Sequence, residues 1–196
     1  MMRANRGSKR NFWISFLFYL FFLNFILEVV IGIISIGQSL LSPDMISIMN
    51  TGYSYRYNML IGYGEVKFED MPFYHTIENN AIFVLSAGVS YIISNSIPFL
   101  AIMIYGRKIL RIINNFYTPF SPDMPAYIRN IGIIFILMGF FGKLIRQLLL
   151  GFFNFHKLYF HNPLELQWIF IGLLIIVLSD IFRRGVELQR NEDETL

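Results

Sequence analysis

Four long apolar stretches alternate with polar segments along the chain, at residues 12–36, 82–105, 131–150 and 164–182. A helix needs about 20 apolar residues to cross a hydrocarbon layer about 30 Å thick. The pattern therefore predicts an all-α membrane protein, in which residues 1–196 form one domain with a four-helix transmembrane bundle. The first stretch is too long for the apolar part of a secretory signal, so we expect it to be retained as a helix.

The segment 37–80 differs from the other connections because its aromatic residues follow a two-residue period. Tyr53, Tyr55 and Tyr57 alternate with polar or small residues, and Gly62 and Gly64 suit a turn before a second run of this kind. Such alternation is typical of strands. We predict a small β-hairpin in an extracytoplasmic segment between the first two helices. Its tyrosines suit an interfacial aromatic belt or, alternatively, a ligand-binding surface.

Basic residues indicate the orientation of the spans. They precede the first span, occupy the connection between the second and third, and follow the fourth: Arg3, Arg6, Lys9, Arg10, Arg107, Lys108, Arg111, Arg129, Arg183, Arg184 and Arg190. By the positive-inside rule, both termini are expected in the cytoplasm.

The composition narrows the classes of function. Only 15% of the residues are charged, against about 25% in soluble domains. The absence of cysteine excludes disulfides, thiolate metal sites and cysteine nucleophiles. The basic residues flank the spans and form no separate patch, so no direct nucleic-acid partner is expected. No phosphate-binding loop, nucleophile elbow or H-E-x-x-H motif occurs, so we predict no catalytic residue, cofactor or metal. A membrane-embedded enzyme would require a polar cavity that gathers His75, Glu78 and His156.

Three charged residues lie inside the apolar stretches: Glu28 in the first, and Lys143 and Arg146 in the third. Counted at ~1.5 Å per residue, Glu28 and Arg146 lie about 24 Å and about 22 Å from the inner ends of their spans. A charge at hydrocarbon depth costs at least ~2.5–3.5 kcal/mol on insertion scales. We therefore predict a structural ion pair among these three residues. The alternatives are a proton or ion relay, or snorkelling of the two basic side chains with Glu28 protonated.

The second stretch gathers polar residues around a proline: Ser90, Ser94, Asn95, Ser96 and Pro98. Proline removes a backbone hydrogen bond, and neighbouring polar groups can compensate for the loss. The cluster predicts a packing kink or, alternatively, the polar lining of a permeation path.

The charged residues at the end of the fourth stretch have helical spacing. Asp180, Arg183, Arg184 and Glu187 stand at i, i+3, i+4 and i+7, so they share one face of a helix. This face suits a topogenic anchor for a solvated tail, 183–196, or a docking surface for a cytoplasmic partner.

Two motifs resemble the bacterial membrane family catalogued as domain of unknown function 2975. One is the ending Phe-Arg-x-Gly-x-x-Leu-Gln followed by acidic residues, and the other is a Pro-Phe-Ser-Pro turn. The matching residues are Phe182, Arg183, Gly185, Leu188, Gln189 and Asp193, and Pro119, Phe120, Ser121 and Pro122. The resemblance implies a four-span protein of the bacterial inner membrane and a cytoplasmic helix-turn-helix regulator as partner. It supplies no activity or substrate.

These observations favour a non-enzymatic sensor or regulatory membrane protein that acts with a cytoplasmic partner. The alternative is a small transporter or channel subunit. Since four short spans rarely enclose a pathway alone, that alternative requires a homo-oligomer. Membrane lipid is an expected partner in both cases.

Overall fold

The computed structural model describes residues 4–60, 62–68, 77–115, 121–156, 158 and 160–195, without the side chains of 4–11, 115, 155 and 192–195. The elements in chain order are α1 (Ala4–Leu41), β1 (Ile48–Asn50), β2 (Ser54–Asn58), β3 (Tyr63–Lys67), α2 (Asn80–Tyr91), α3 (Ile97–Asn115), α4 (Met124–Phe155) and α5 (Leu166–Thr195). A 3-10 helix, Pro43–Met45, follows α1, and a π-helical segment, Ile92–Ser96, joins α2 to α3.

Four helical segments of the described chain are long and apolar enough to cross a membrane, which confirms that part of the prediction. They are Phe12–Leu41, Asn80–Asn114, Met124–Asn154 and Leu166–Asn191. Each is longer than the apolar stretch that predicted it, because polar residues continue the helix beyond its apolar part. At the end of α1, for example, the Ser39 hydroxyl donates to the Ile36 carbonyl at 2.7 Å.

The predicted hairpin is present as β2 and β3, within a three-stranded antiparallel sheet of order β1-β2-β3. The turn contains Gly62 at φ +84°, a conformation that glycine adopts at no steric cost. The sequence also placed Gly64 in the turn, and this prediction was wrong. Gly64 lies in β3 opposite Tyr57. The Tyr57 ring occupies the space where a Cβ at position 64 would stand. Strand β1 was not predicted, because three residues are too few to display a period.

The chain divides into two compact units. The first, which we call the helix unit, comprises Met1–Phe25, Phe99–Leu137 and Leu166–Leu196. The second, which we call the sheet unit, comprises Ile26–Pro98 and Met138–Glu165.

Two glycines bring α4 and α5 together in the helix unit. A Cβ on Gly172 would lie 2.6 Å from the carbonyl oxygen of Gly132, and a Cβ on Gly132 would lie 2.8 Å from that of Gly172. Small residues at helix crossings let backbones approach closely, which is a common mode of association for membrane helices. Nearby, Phe99, Phe135 and Trp168 form a mutual aromatic cluster.

The sheet unit has its own hydrophobic core beneath one face of the sheet. Tyr55, Tyr57 and Val66 are buried and pack with Phe83 and Leu150. The Tyr55 and Tyr57 ring centroids lie 5.8 and 6.1 Å from that of Phe83, in edge-to-face geometry. These two tyrosines are therefore core residues of this unit, and an aromatic belt does not describe them.

The π-helical segment ends at Ser96, two residues before Pro98. A proline cannot donate to the carbonyl four residues earlier, here that of Ser94. A Cβ on Gly142 of α4 would lie 3.7 Å from this carbonyl oxygen, so α4 approaches the irregular segment closely. The proline thus produces a local π-helical distortion, and the segment Asn80–Asn114 continues as one candidate span. Such π-bulges occur frequently at functional sites.

Candidate ligand cavity

A cavity of about 470 Å³ lies within the sheet unit. Its walls come from α1, α2, the π-helical segment, the C-terminal half of α4 and the sheet. Its volume falls within the roughly 300–1,000 Å³ of pockets that bind small molecules. The lining combines apolar side chains with a few polar ones, which is also typical of such pockets. The polar and charged lining residues are Glu28, Ser35, Tyr57, Glu65, Lys67, Ser90, Tyr91, Asn95 and Arg146.

Glu28 and Tyr91 form one side of this cavity. The Tyr91 hydroxyl donates a hydrogen bond to Glu28 Oε2 at 3.2 Å, which joins α2 to α1. The two helices approach closely here because Gly88 carries no side chain: a Cβ at that position would lie 2.7 Å from Ile36 Cγ1. Glu28 is exposed, and Tyr91 is 40% exposed. The carboxylate and the hydroxyl are therefore accessible from the outer surface of these helices.

Arg146 lies on another side, and its guanidinium Nη2 contacts Glu165 Oε1 at 2.9 Å. The side chains are only 17% and 19% exposed. Glu165 is held in place by its own backbone, since its N–H donates to the Gly139 carbonyl at 2.9 Å. An arginine–carboxylate pair that is largely removed from water holds its geometry well. Arg146 is therefore a positioned positive charge at the cavity wall.

Gln147, the neighbour of Arg146, attaches the loop between α4 and α5 to α4. Its side chain is fully buried. Its Nε2 donates to the His161 carbonyl at 2.7 Å, and its Oε1 accepts from the His161 N–H at 3.2 Å. This reciprocal pair satisfies both backbone groups of one loop residue, and the loop then leads to Glu165.

Tyr57 closes the cavity on the side of the sheet. It is 8% exposed, and burial raises its pKa above the ordinary value of 10.0. The nearby Ser35 hydroxyl lowers the Tyr57 pKa and so opposes part of this rise. In the described part of the chain, Ser35 Oγ makes no hydrogen bond of normal geometry. The absence of a side chain at Gly64 lets the Tyr57 ring take this place.

The structure brings to one cavity two of the three charged residues that lie within the candidate spans. Glu28 and Arg146 both line it, and both act electrostatically on the Tyr91 hydroxyl. Lys143 is 8% exposed and does not belong to the lining. An ion pair of Glu28 with Arg146 or Lys143 stays a prediction. The contacts with Glu165 and Tyr91 were not predicted.

The four charged residues of the predicted docking face lie in α5 and are exposed. Arg183 Nη2 lies 3.4 Å from Asp180 Oδ1, and both side chains remain more than half exposed. Arg184 and Glu187 continue the same face toward the end of the helix.

The cavity does not gather the residues that an embedded enzyme would require, since neither Glu78 nor His156 belongs to its lining. His75 lies outside the described residues, as do Pro119 and Phe120 of the proline turn. Among the residues that the structure describes, no three side chains of the types His, Asp and Glu come together in a way that could hold a metal ion.

No protein-family model matches the chain, and no curated protein or solved structure matches it either. The cavity and the exposed face of α5 are thus the features on which a functional proposal can rest.

Proposed function

We propose that this chain is a non-enzymatic membrane sensor that binds a small molecule in the cavity of the sheet unit and regulates a cytoplasmic partner. The observation that carries the proposal is the cavity itself. A carboxylate, a guanidinium and several hydroxyls line a space of about 470 Å³, while no catalytic motif occurs in the sequence. Charged groups kept at this depth are costly, so their place around a cavity favours a binding role.

In this proposal the four candidate spans cross a bacterial inner membrane, and both termini are cytoplasmic. The basic residues at the two ends and in the middle connection support this orientation. The sheet then lies on the outer side, where the cavity samples the outer leaflet and the space beyond it. The resemblance to the family of domain of unknown function 2975 supports the same arrangement and stays a prediction.

The proposed output is the exposed charged face of α5. The helix Leu166–Thr195 has 30 residues, hence a length of about 45 Å at 1.5 Å per residue. That exceeds the hydrocarbon thickness of about 30 Å, so its last turns reach into the cytoplasm. At this rise Glu187 lies about 32 Å from Leu166 and is available there to a partner, and Arg183 and Arg184 lie at the cytoplasmic edge of the layer, one turn beyond Asp180. By the family resemblance, this partner is a helix-turn-helix regulator.

Photocrosslinking in native membranes tests this function. A photoreactive residue at Glu187 is expected to capture one cytoplasmic protein, whereas the same probe at the exposed Asp44, on the proposed outer side, is not. The yield at Glu187 is then compared between Gly32→Leu and Gly37→Leu. A Cβ meets nothing within 4 Å at either glycine, but only Gly32 lines the cavity.

We expect Gly32→Leu to change the crosslinking yield and Gly37→Leu to leave it unchanged. The absence of a cytoplasmic adduct would contradict the partner role. Equal yields in the two variants would contradict the coupling of the cavity to that partner.

A small transporter or channel subunit, acting as a homo-oligomer, is the second candidate. One observation favours it: Ser90 and Asn95 of the second span line the cavity, next to the π-helical segment. Reconstitution in liposomes under an ion or proton gradient tests this reading. Flux that Gly32→Leu abolishes and Gly37→Leu does not would favour transport over sensing.

A further inference from the structure

We infer that the cavity binds the head group of a zwitterionic phospholipid with a primary ammonium, of the phosphatidylethanolamine type. This deepens the proposed function, on which it rests, by naming the chemical class of the ligand. The inference depends on the charges at the wall, on the apolar surroundings and on the side from which a ligand can enter.

Both signs of charge are present at the wall. The lining residues include two acidic ones, Glu28 and Glu65, and two basic ones, Lys67 and Arg146. A ligand of a single sign would meet repulsion as well as attraction from such a wall. A zwitterion can place each of its charges against the opposite one, which is the usual form of electrostatic complementarity.

The polar groups of the wall also match the phosphate and the ammonium of such a head group. A guanidinium has five N–H donors, so Arg146 can keep its contact with Glu165 and still donate to a phosphate oxygen. Glu28 and the amide oxygen of Asn95 are acceptors, which suits a primary ammonium with its three N–H donors. A quaternary ammonium has no N–H to donate, so the site is expected to discriminate against choline head groups.

The access side indicates a ligand that comes from the membrane. Glu28 is exposed on α1, and its neighbours Leu27 and Val30 are 53% and 44% exposed. In a bilayer this surface of a candidate span contacts lipid. Ile31, Val66 and Leu150 supply the apolar part of the lining. A lipid can therefore insert its head group while its acyl chains remain beside α1.

Native mass spectrometry of the purified full-length chain tests the inference. The protein is titrated with phosphatidylethanolamine, phosphatidylcholine and phosphatidylglycerol that carry identical acyl chains. We expect about tenfold tighter binding of the first, the difference that one charge-assisted hydrogen bond produces. Gly32→Leu and Glu28→Gln should remove this preference, whereas Gly37→Leu and Glu187→Gln should retain it.

Equal binding of the three lipids by the wild-type chain would overturn the inference, and so would an unchanged preference in Gly32→Leu. Glycerophosphoethanolamine supplies the same head group without acyl chains. If it competes as well as the lipid does, the assignment to a membrane lipid is wrong.

The outcomes separate this inference from the proposed function. If Gly32→Leu changes crosslinking at Glu187 but the lipids bind without preference, the sensor function stands and its ligand is of another class. If the lipid preference depends on Gly32 while crosslinking does not, the lipid site stands and the regulatory function fails.

Discussion

In the helix unit two glycines bring the backbones of α4 and α5 into contact, whereas the sheet unit contains a cavity of about 470 Å³. The buried polar side chains are also distributed unevenly between the two units. Among the described residues, all buried polar or charged ones lie in the sheet unit except Ser179. The Ser179 hydroxyl donates to the Pro125 carbonyl at 2.7 Å. One unit is therefore held by close packing, and the other combines packing with a polar site.

The difference indicates where each kind of substitution should act. Close helix packing leaves no room for added volume, and its loss appears as lost stability. Polar groups around a cavity contribute less to stability and more to recognition. We therefore expect the largest loss of stability from added volume in the helix unit, and changes in ligand binding from substitutions at the cavity.

Gly172→Ala should have the largest effect on stability. The new Cβ would stand 2.6 Å from the Gly132 carbonyl oxygen and 2.9 Å from the Ile136 backbone nitrogen. Because both obstacles are backbone atoms, α4 and α5 must separate, at a cost of about 3 kcal/mol. The free energy of unfolding in a detergent titration measures this loss. In the control, Gly37→Ala, no atom lies within 4 Å, and alanine favours a helix by about 1 kcal/mol. Equal effects would show that the glycine contact is unimportant.

Gln147→Leu should be the next most damaging substitution, and it acts in the sheet unit. It removes the two hydrogen bonds that the Gln147 side chain makes with the His161 backbone. His161 is exposed, so the cost is that of two lost hydrogen bonds, about 2 kcal/mol in total at about 1 kcal/mol each. Faster hydrogen exchange in the loop before α5 is the measurement. The matched control is Gln167→Leu, since Gln167 is exposed. Normal protection of the loop in Gln147→Leu would contradict its role as an anchor.

A double-mutant cycle compares the interactions of Arg146 with two carboxylates, those of Glu165 and Glu28. Arg146 contacts Glu165 directly and shares the cavity with Glu28. We expect a coupling of about 1–2 kcal/mol between Arg146→Leu and Glu165→Gln, and a smaller one between Arg146→Leu and Glu28→Gln. Unfolding free energies of the single and double variants give both values. A larger coupling to Glu28 would favour the ion pair that the sequence predicts.

The sequence could predict the features that repeat along the chain. Apolar length is sufficient to recognise four candidate spans, and the alternation around Tyr55 and Tyr57 is sufficient to recognise β2. The sequence identifies Glu28 and Arg146 as candidate site residues because a charge in an apolar run is costly. In each case the signal is local and comes from the physical chemistry of one segment.

The remaining features depend on contacts between distant segments. Glu165 lies in a short loop, and no pattern shows that the loop returns to Arg146. In the sequence, Tyr91 is one aromatic residue among many in an apolar stretch. Only the structure shows that its hydroxyl donates a hydrogen bond to Glu28. Gly132 and Gly172 have no periodic signal that would pair them. Their importance comes from the crossing of two helices, which the sequence pattern does not describe.

The smallest expected effect concerns pH and the sheet side of the cavity. Burial raises the pKa of Tyr57 above 10.0, so the folded state favours the neutral phenol. The resulting stabilisation is fully present below pH 10 and is lost as the pH rises through the raised pKa. The unfolding free energy should therefore fall above pH 10, and Tyr57→Phe should reduce that fall. Tyr53→Phe is the control, because this side chain is 86% exposed. A fall that is equally steep in wild type and Tyr57→Phe would show that the buried phenol is not its source.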